Sequence, residues 1–418
     1  MFEEATKLSQ AHKVPHIEQS HLSHDYAAFA DQRQMALSKS PELERLQQLR
    51  ERRDIDPMSS TPSASAKRSA KSSARPDMTD QLQKEQLEDE AAIDALMLER
   101  STYAKIALKN YARALALSDA HDDSTTRMCS LWLELDHDDA VSTAFATSLS
   151  RVPSFKFIFL SPQLAARLDK PKQLTPFNTA LNSLVFRISV EHPYHILYQV
   201  ITLAECLPSS SKSKKHSDIG AEGRGGAAAS ILATISADAT YGLALKASKG
   251  MRVLASAATS WCLSRSKEEE SIALGRNMNV PADCPLNRAS DLGIPVATAP
   301  PPIDPLCKYD NIPALLRYRS AYCVLGGIHR PKKMQVLDST GKTYRELFKG
   351  EDELRQDAVM EHVFEMSNKL LQRDRQSKAR ALKFRTYVVI PLAKKTGIME
   401  FVGDSKAIGD YLKPTHAM

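Results

Sequence analysis

Aromatic residues make up only 6% of the 418 residues, and glycine contributes just 15. Alanine and leucine are frequent instead, a balance that favours helices, where both cost least. The six cysteines, Cys129, Cys206, Cys262, Cys284, Cys307 and Cys323, contain no C-x-x-C pair. That spread fits reduced thiols in a cytosolic or nuclear protein, not a disulfide framework or a zinc site. No run of 18 apolar residues occurs, so no membrane span is expected. The opening Met1-Phe2-Glu3-Glu4 is acidic with no apolar stretch behind it, so no signal peptide is expected. These absences point to a soluble, intracellular chain. A 42% apolar content allows a sizeable core in two or three domains. The net charge of +6 permits an acidic partner without requiring one.

The pattern along the chain is helical for most of its length. Residues 15–55 read as two helices, with Leu43, Leu46 and Leu49 among charges. Residues 1–80 end in a Ser/Lys-rich stretch from Pro57 to Asp80 that buries too little apolar surface to order, so a disordered loop is expected. From Gln81 to about Asp119, Ile93, Leu96, Tyr103, Ala107, Tyr111 and Leu115 recur at helical spacing, as one long helix or two in line. Shorter helices are expected at about 124–136, 138–149, 155–168 and 174–190, then from Pro193, tolerated at a helix start, to Glu205. Residues 207–228 read as a second low-complexity insert and 229–263 as one helix. The expectation for 81–279 is a solenoid-like helical stack, without a visible sequence repeat. Residues 280–306 hold Pro300, Pro301 and Pro302 in a row and read as an extended linker.

After Leu306 the periodicity changes. Short apolar segments broken by Gly326-Gly327 and Ser339-Thr340-Gly341 are hairpin signals. Residues 352–372 return to helical spacing, and 383–391 and 398–402 read as strands joined through Lys394, Lys395 and Gly397. An α+β unit over 307–418 follows, an antiparallel sheet with a helix packed on it.

The stretch that carries chemistry is Phe348-Lys349-Gly350-Glu351-Asp352-Glu353-Leu354-Arg355-Gln356-Asp357. A lysine at a strand end can reach the phosphates of ATP as a point charge, and acidic residues at the next helix start can pair with it. By spacing alone, a solvated turn is the commoner reading. The literal string Lys-Gly-x-Asp-x-Leu-Arg-Gln-Asp-Ala-Val-Met, however, resembles the signature of the phosphatidylinositol-3/4-kinase superfamily. Gly326-Gly327-Ile328-His329-Arg330-Pro331-Lys332 resembles its phosphate-covering loop. Leu370-Leu371-Gln372-Arg373-Asp374, Arg385-Thr386-Tyr387-Val388-Val389-Ile390-Pro391-Leu392, Gly397-Ile398-Met399-Glu400-Phe401 and Ala407-Ile408-Gly409-Asp410-Tyr411-Leu412 resemble the ATM-type branch of the phosphatidylinositol-3-kinase-related protein kinases. Upstream, Met128 to Glu134 and Ile188 to His195 are similar to that branch's helical FAT region, and Asn279-Val280-Pro281-Ala282-Asp283 to the join between regions.

The resemblance implies a FAT-type helical region over 81–279 and a kinase N-lobe over 307–418. It implies that Gly326, Gly327, Ile328 and Pro331 belong to the phosphate loop and that Lys349 contacts the ATP phosphates. Asp352 would pair with Lys349 from the helix, and Asp357 and Tyr387 would line the inner wall. Met399 would be the gatekeeper, the backbone of Glu400 and Val402 would bind the adenine edge, and Phe401 would lie against the ring. The family's Asp-Arg-His-x-x-Asn loop and Asp-x-Gly metal site do not follow within the 418 residues, so a truncated N-lobe, inactive alone and of poor solubility, is the expectation, with the Mg²⁺ ligands and the C-lobe lying beyond it. Further expectations are ATP and Mg²⁺ as cofactors, protein substrates, homo-oligomers, DNA-damage sensor proteins as partners, a nuclear location, and roles in DNA-damage response and telomere maintenance. A lipid kinase relative and a non-catalytic helical scaffold are the alternatives. Lys67, Arg68 and Arg75, and Lys212 to His216, are weak address or nucleic-acid signals, since short basic runs are usually just solvated. His192-Pro193-Tyr194-His195 could suggest a metal pair, but no Cys or acidic third ligand stands at suitable spacing, so no metal site is expected there.

Overall fold

The computed structural model describes residues 2–11, 14–55, 76–169, 174–205, 219–264, 275–326, 328–405, 408 and 412. The serine-rich segment within 56–75 and the insert within 206–218 lie outside these residues. The chain divides into two compact units, one of residues 1–156 with 175–180, the other of 157–174 with 181–418.

The first unit is helical: α1 (Phe2–Ala11), α2 (His16–Ser38), α3 (Pro41–Ile55), α4 (Pro76–Leu117), α5 (Ser124–Glu134) and α6 (Asp139–Leu149). The sequence reading places the second, third and later helices correctly but misses α1 and starts α4 five residues late. α2 packs along α4 through small residues, Ala27, Ala30, Ala104 and Ala107, all fully buried. Several buried polar groups are matched across that seam. The Ser20 hydroxyl donates to the Ala114 carbonyl at 2.9 Å. Asp31, 5% exposed, accepts two bonds of 2.7 Å from Arg127 and one of 3.1 Å from the Tyr111 hydroxyl. Burial works to raise the Asp31 carboxyl, but the bonds from Arg127, Gln34 and Tyr111 and the guanidinium charge outweigh it and hold its pKa low. Helix α6 begins at Asp138, whose carboxylate accepts the Val141 N–H at 2.9 Å, an N-cap that satisfies one otherwise orphaned donor. Trp132 fills the space beside it, 5.4 Å from Phe145 and 5.0 Å from Phe177 between ring centres.

The second unit carries α7 (Ser161–Ala166), most of α8 (Pro176–Glu191), α9 (Pro193–Glu205), α10 (Ile219–Ala237) and α11 (Gly242–Leu263). Two corrections to the sequence reading arise here. Helix α10 begins at residue 219, inside the expected insert, with Ala227 and Ala228 buried. And 229–263 is not one helix: the axis bends by 95° at Asp238, whose carboxylate accepts the Thr240 N–H at 2.8 Å. An aspartate that caps the following turn competes with helix continuation. Among the described residues no single helix is long and apolar enough to cross a membrane.

A six-stranded antiparallel sheet completes the unit, with strands β1 (Asn277–Asn279), β2 (Leu315–Val324), β3 (Lys332–Asp338), β4 (Thr343–Gly350), β5 (Val389–Ala393) and β6 (Thr396–Glu400) in the order β1-β2-β3-β4-β6-β5. Helices α12 (Leu354–Arg373) and α13 (Arg375–Ala379) lie between β4 and β5. The 280–306 segment, expected as an extended linker, is packed instead. Cys284, Leu286, Ala289, Ile294, Val296 and Ala297 are buried, and the Leu315 N–H donates to the Ile294 carbonyl at 2.7 Å. The prolines set an extended backbone, but the apolar residues between them go into the core. The first expected strand at the C-terminal end, 383–391, starts only at Val389, because β6 offers partners only from residue 396 to 400.

The opposite faces of the sheet differ. Phe348, Met334, Ile398 and Ile390 are buried, and α11 packs on the sheet close to this core: the Trp261 ring stacks edge-on to Tyr322 at 5.0 Å. Lys332 reaches the last turn of α11, where its ammonium donates to the Trp261 carbonyl (3.1 Å) and to the carbonyl and hydroxyl of Ser264. A lysine at a helix C-terminus satisfies carbonyls that lack a partner in the helix. Glycine is required twice at this junction. A Cβ on Gly350 would lie 2.3 Å from the Cys262 carbonyl oxygen, and one on Gly397 would lie 2.4 Å from that of Ile390.

Candidate nucleotide site

Register decides which side chains meet. Cross-strand partners share a face, and residues two apart along a strand do too. Lys333 pairs with Leu347, Leu347 with Met399, and Met399 with Val389. Lys349, two residues beyond Leu347, is opposite Gly397, two residues before Met399. Lys333, Leu347, Lys349, Met399 and Val389 therefore share one face, and Phe401 continues the same alternation past the end of β6. On it Met399 is buried, while Lys333, Leu347, Lys349, Val389 and Phe401 are only half-buried.

Lys349 sits one residue from the end of β4, with its side chain 21% exposed. Its ammonium lies 3.2 Å from Asp352 and 3.5 Å from Asp357. The resemblance gave the pairing to Asp352 on the helix and the wall to Asp357. Asp352 instead stands in the turn ahead of α12, fixed there by its N–H donating to the Lys395 carbonyl at 3.2 Å. Asp357 lies in the first helical turn, where a carboxylate also complements the helix N-terminus. Glu353 caps that helix by accepting the Arg355 N–H. One carboxylate in the turn and one in the first turn of α12 thus aim the same ammonium.

Tyr387 donates its N–H to Glu361 at 3.0 Å. Burial pushes its hydroxyl up, and the charges of Glu361 and Asp357 add to that. At the other end of the face, the Glu400 N–H donates to the Val388 carbonyl (2.8 Å) and the Phe401 N–H to the Arg345 carbonyl (2.9 Å). The Glu400 carboxylate holds Arg385 at 2.9 Å and takes the Val388 N–H at 3.3 Å, so that N–H does not use the Glu400 carbonyl. No partner for the Val402 N–H is found among the described residues. The segment after β6 thus offers one carbonyl and, two residues on, one N–H, a pair suited to a purine edge. The strand-to-strand loop beyond β2 closes by the Leu325 N–H donating to the Pro331 carbonyl at 2.9 Å. Gly326 and Ile328 lie in it, Ile328 being 92% exposed, and Gly327 falls outside the described residues.

Sequence reasoning missed three residues of this neighbourhood. The Lys333 ammonium stands 4.7 Å from the centre of the Phe401 ring. Glu361 orients Tyr387, and Arg385 orients Glu400. Only the alternation along β3 hints at Lys333; the other two depend on a register that spacing does not reveal.

The family model for phosphatidylinositol 3- and 4-kinase matches residues 343–417, which span Lys349 to Val402. The serine/threonine-protein kinase TEL1 of Cryptococcus neoformans is 36% identical over 416 residues, covering 100% of this chain and 14% of that protein. The serine-protein kinase ATM of Sus scrofa is 32% identical over 358 residues, covering 80% of this chain and 11% of that protein. Among solved structures, the FAT and kinase domain of CtTel1 superposes with a TM-score of 0.78 at 25% identity, covering 96% of this chain and 26% of that one. The chain therefore spans a small part of the length of its relatives. It belongs to the ATM-type phosphatidylinositol-3-kinase-related protein kinases, as a segment that matches their FAT and kinase region.

Proposed function

We propose that this segment holds the nucleotide of an ATP-dependent protein serine/threonine kinase of the ATM type. The observation that supports it best is Lys349, steadied by Asp352 and Asp357 on the sheet face that also carries Met399 and Phe401. In this reading Lys349 orients the phosphates. The wall of Asp357, Tyr387 and Glu361 keeps the ammonium in place, and the Glu400 carbonyl and Val402 N–H take the adenine edge with Phe401 beside it. The loop of Gly326, Gly327, Ile328 and Pro331 covers the phosphates. ATP with Mg²⁺ supplies a transferable γ-phosphoryl group for a protein hydroxyl. The wider roles that go with this reading are DNA-damage signalling and telomere maintenance in the nucleus, with protein substrates, DNA-damage sensor proteins and a homo-oligomeric assembly of the full-length protein. The resemblance to the helical FAT strings favours protein over lipid as acceptor.

The test is binding of a fluorescent ATP analogue to the 418-residue chain and to K349M. The variant is expected to lose at least tenfold in affinity, since a charge-assisted bond to phosphate contributes about 1.5–3 kcal/mol. Equal affinity of the two proteins would overturn the assignment, and absence of binding by a folded wild-type chain would favour the scaffold reading.

A further inference from the structure

We infer that Glu191, His192 and Cys307 form a zinc site that staples the loop after the proline-rich segment to the junction of α8 and α9. The sequence reading sets His192 aside for want of a Cys or acidic partner at suitable spacing, because Cys307 stands 115 residues away. Folding brings them together: Sγ of Cys307 lies 3.6 Å from Nε2 of His192. Tetrahedral zinc, with bonds of about 2.3 Å to sulfur and 2.0–2.1 Å to nitrogen, holds such a pair roughly 3.5 Å apart. A carboxylate oxygen of Glu191 completes the group, all three ligand atoms lying within 4.8 Å of one another. Thiolate, imidazole and carboxylate together suit zinc better than magnesium or calcium, which take oxygen alone.

The surroundings fit a ligating imidazole. Nδ1 of His192 is 2.6 Å from the Tyr309 hydroxyl. A partner on one ring nitrogen fixes the tautomer and leaves the other lone pair for the metal. The Tyr309 oxygen also accepts the Asp304 N–H, at 3.4 Å. The loop itself is preset. The Cys307 N–H donates to the Asp304 carbonyl at 2.9 Å, and the Asp304 carboxylate accepts the N–H groups of Leu306 and Lys308 at 2.8 and 3.3 Å. His192 is fully buried, whereas Glu191 and Cys307 are half-buried, which leaves an entry for the ion and solvent at a fourth position.

The experiment uses the chelator-treated 418-residue chain, titrated with Co²⁺ and then Zn²⁺. One equivalent of Co²⁺ is expected to give a near-ultraviolet thiolate-to-cobalt band, which Zn²⁺ displaces. C307S abolishes the band, H192Q and E191Q weaken binding by about a hundredfold, and Y309F weakens it by about 10–100-fold while the band survives. Zinc-edge X-ray absorption on the wild-type chain, which needs no variant to fold, is expected to show one sulfur ligand with nitrogen and oxygen. Absence of a band, a band that survives C307S, or a zinc shell with no sulfur or with several would each overturn the site.

Discussion

Replacing Gly350 by alanine tests how the lysine strand is seated. A Cβ at residue 350 would stand 2.3 Å from the Cys262 carbonyl oxygen and 3.0 Å from its carbon, whereas real Cβ atoms essentially never come within 3.0 Å. The obstacle is backbone at the end of α11, not a side chain that can swing away. The end of β4 or the last turn of α11 must move by at least ~0.7 Å, an overpacking that costs about 1–3 kcal/mol. With a middle value of about 2 kcal/mol, the melting temperature falls by roughly 4–8 °C for a unit of this size. Because Lys349 is the adjacent residue, nucleotide affinity should fall too. The control is Gly242→Ala, at the start of α11, where a Cβ meets nothing within 4 Å and φ is −47°. That change should stabilise by about 0.4–1 kcal/mol through the unfolded state. Urea denaturation of the 418-residue chain separates the two. If G350A unfolds at the same urea concentration as wild type, the close approach of α11 to β4 is not as described and the reasoning fails.

R127A should destabilise the helical unit by about 2–3 kcal/mol, below the usual figure for a broken buried pair because Arg127 is 30% exposed. The wild-type contribution of Asp31, whose folded pKa is lowered, is complete above the ordinary aspartate range and lost as pH falls through the lowered value; the acid limb of stability against pH should lose this step in R127A. Glu346 behaves in the opposite sense. It is fully buried, and burial raises its pKa despite hydrogen bonds from Tyr318 and Thr298. Its contribution is therefore present below the ordinary glutamate range and lost as pH climbs through the raised value, and E346Q should flatten that slope in denaturation measured across the window. E346A should cost about 1.5–3 kcal/mol below that window, because the Tyr318 hydroxyl and both Thr298 donors lose their acceptor.

Helical periodicity made most of the first unit legible, since a buried stripe along α4 shows itself in Ile93, Ala107, Tyr111 and Leu115. The bend at Asp238 was hidden because the residues on both sides keep the same apolar character. β1 is three residues long, too short to alternate visibly, and it gains its place only by pairing with the far end of β2. The proline-rich 280–306 segment misled because composition reports backbone stiffness, not burial. At the candidate site, Lys349, Asp352 and Asp357 were found through a literal string and not through spacing, which by itself favours a solvated turn. Lys333 and Glu361 became visible only with the register, and the His192–Cys307 contact only with the fold, because contacts between distant residues leave no local periodicity.

The end of α11 is bolted to three strands at once. Lys332 of β3 grips its last carbonyls, Gly350 of β4 rests on Cys262, and the Cys262 thiol sits 3.6 Å from the Gly397 carbonyl of β6. Those are the strands around Lys349, and Gly397 is its cross-strand partner. A rod of 22 residues, about 33 Å long, is thereby fastened at one tip. Axial displacement of α11 would reach the ammonium as a rigid translation instead of being absorbed in a loop, so the lysine's position reports the position of the helix.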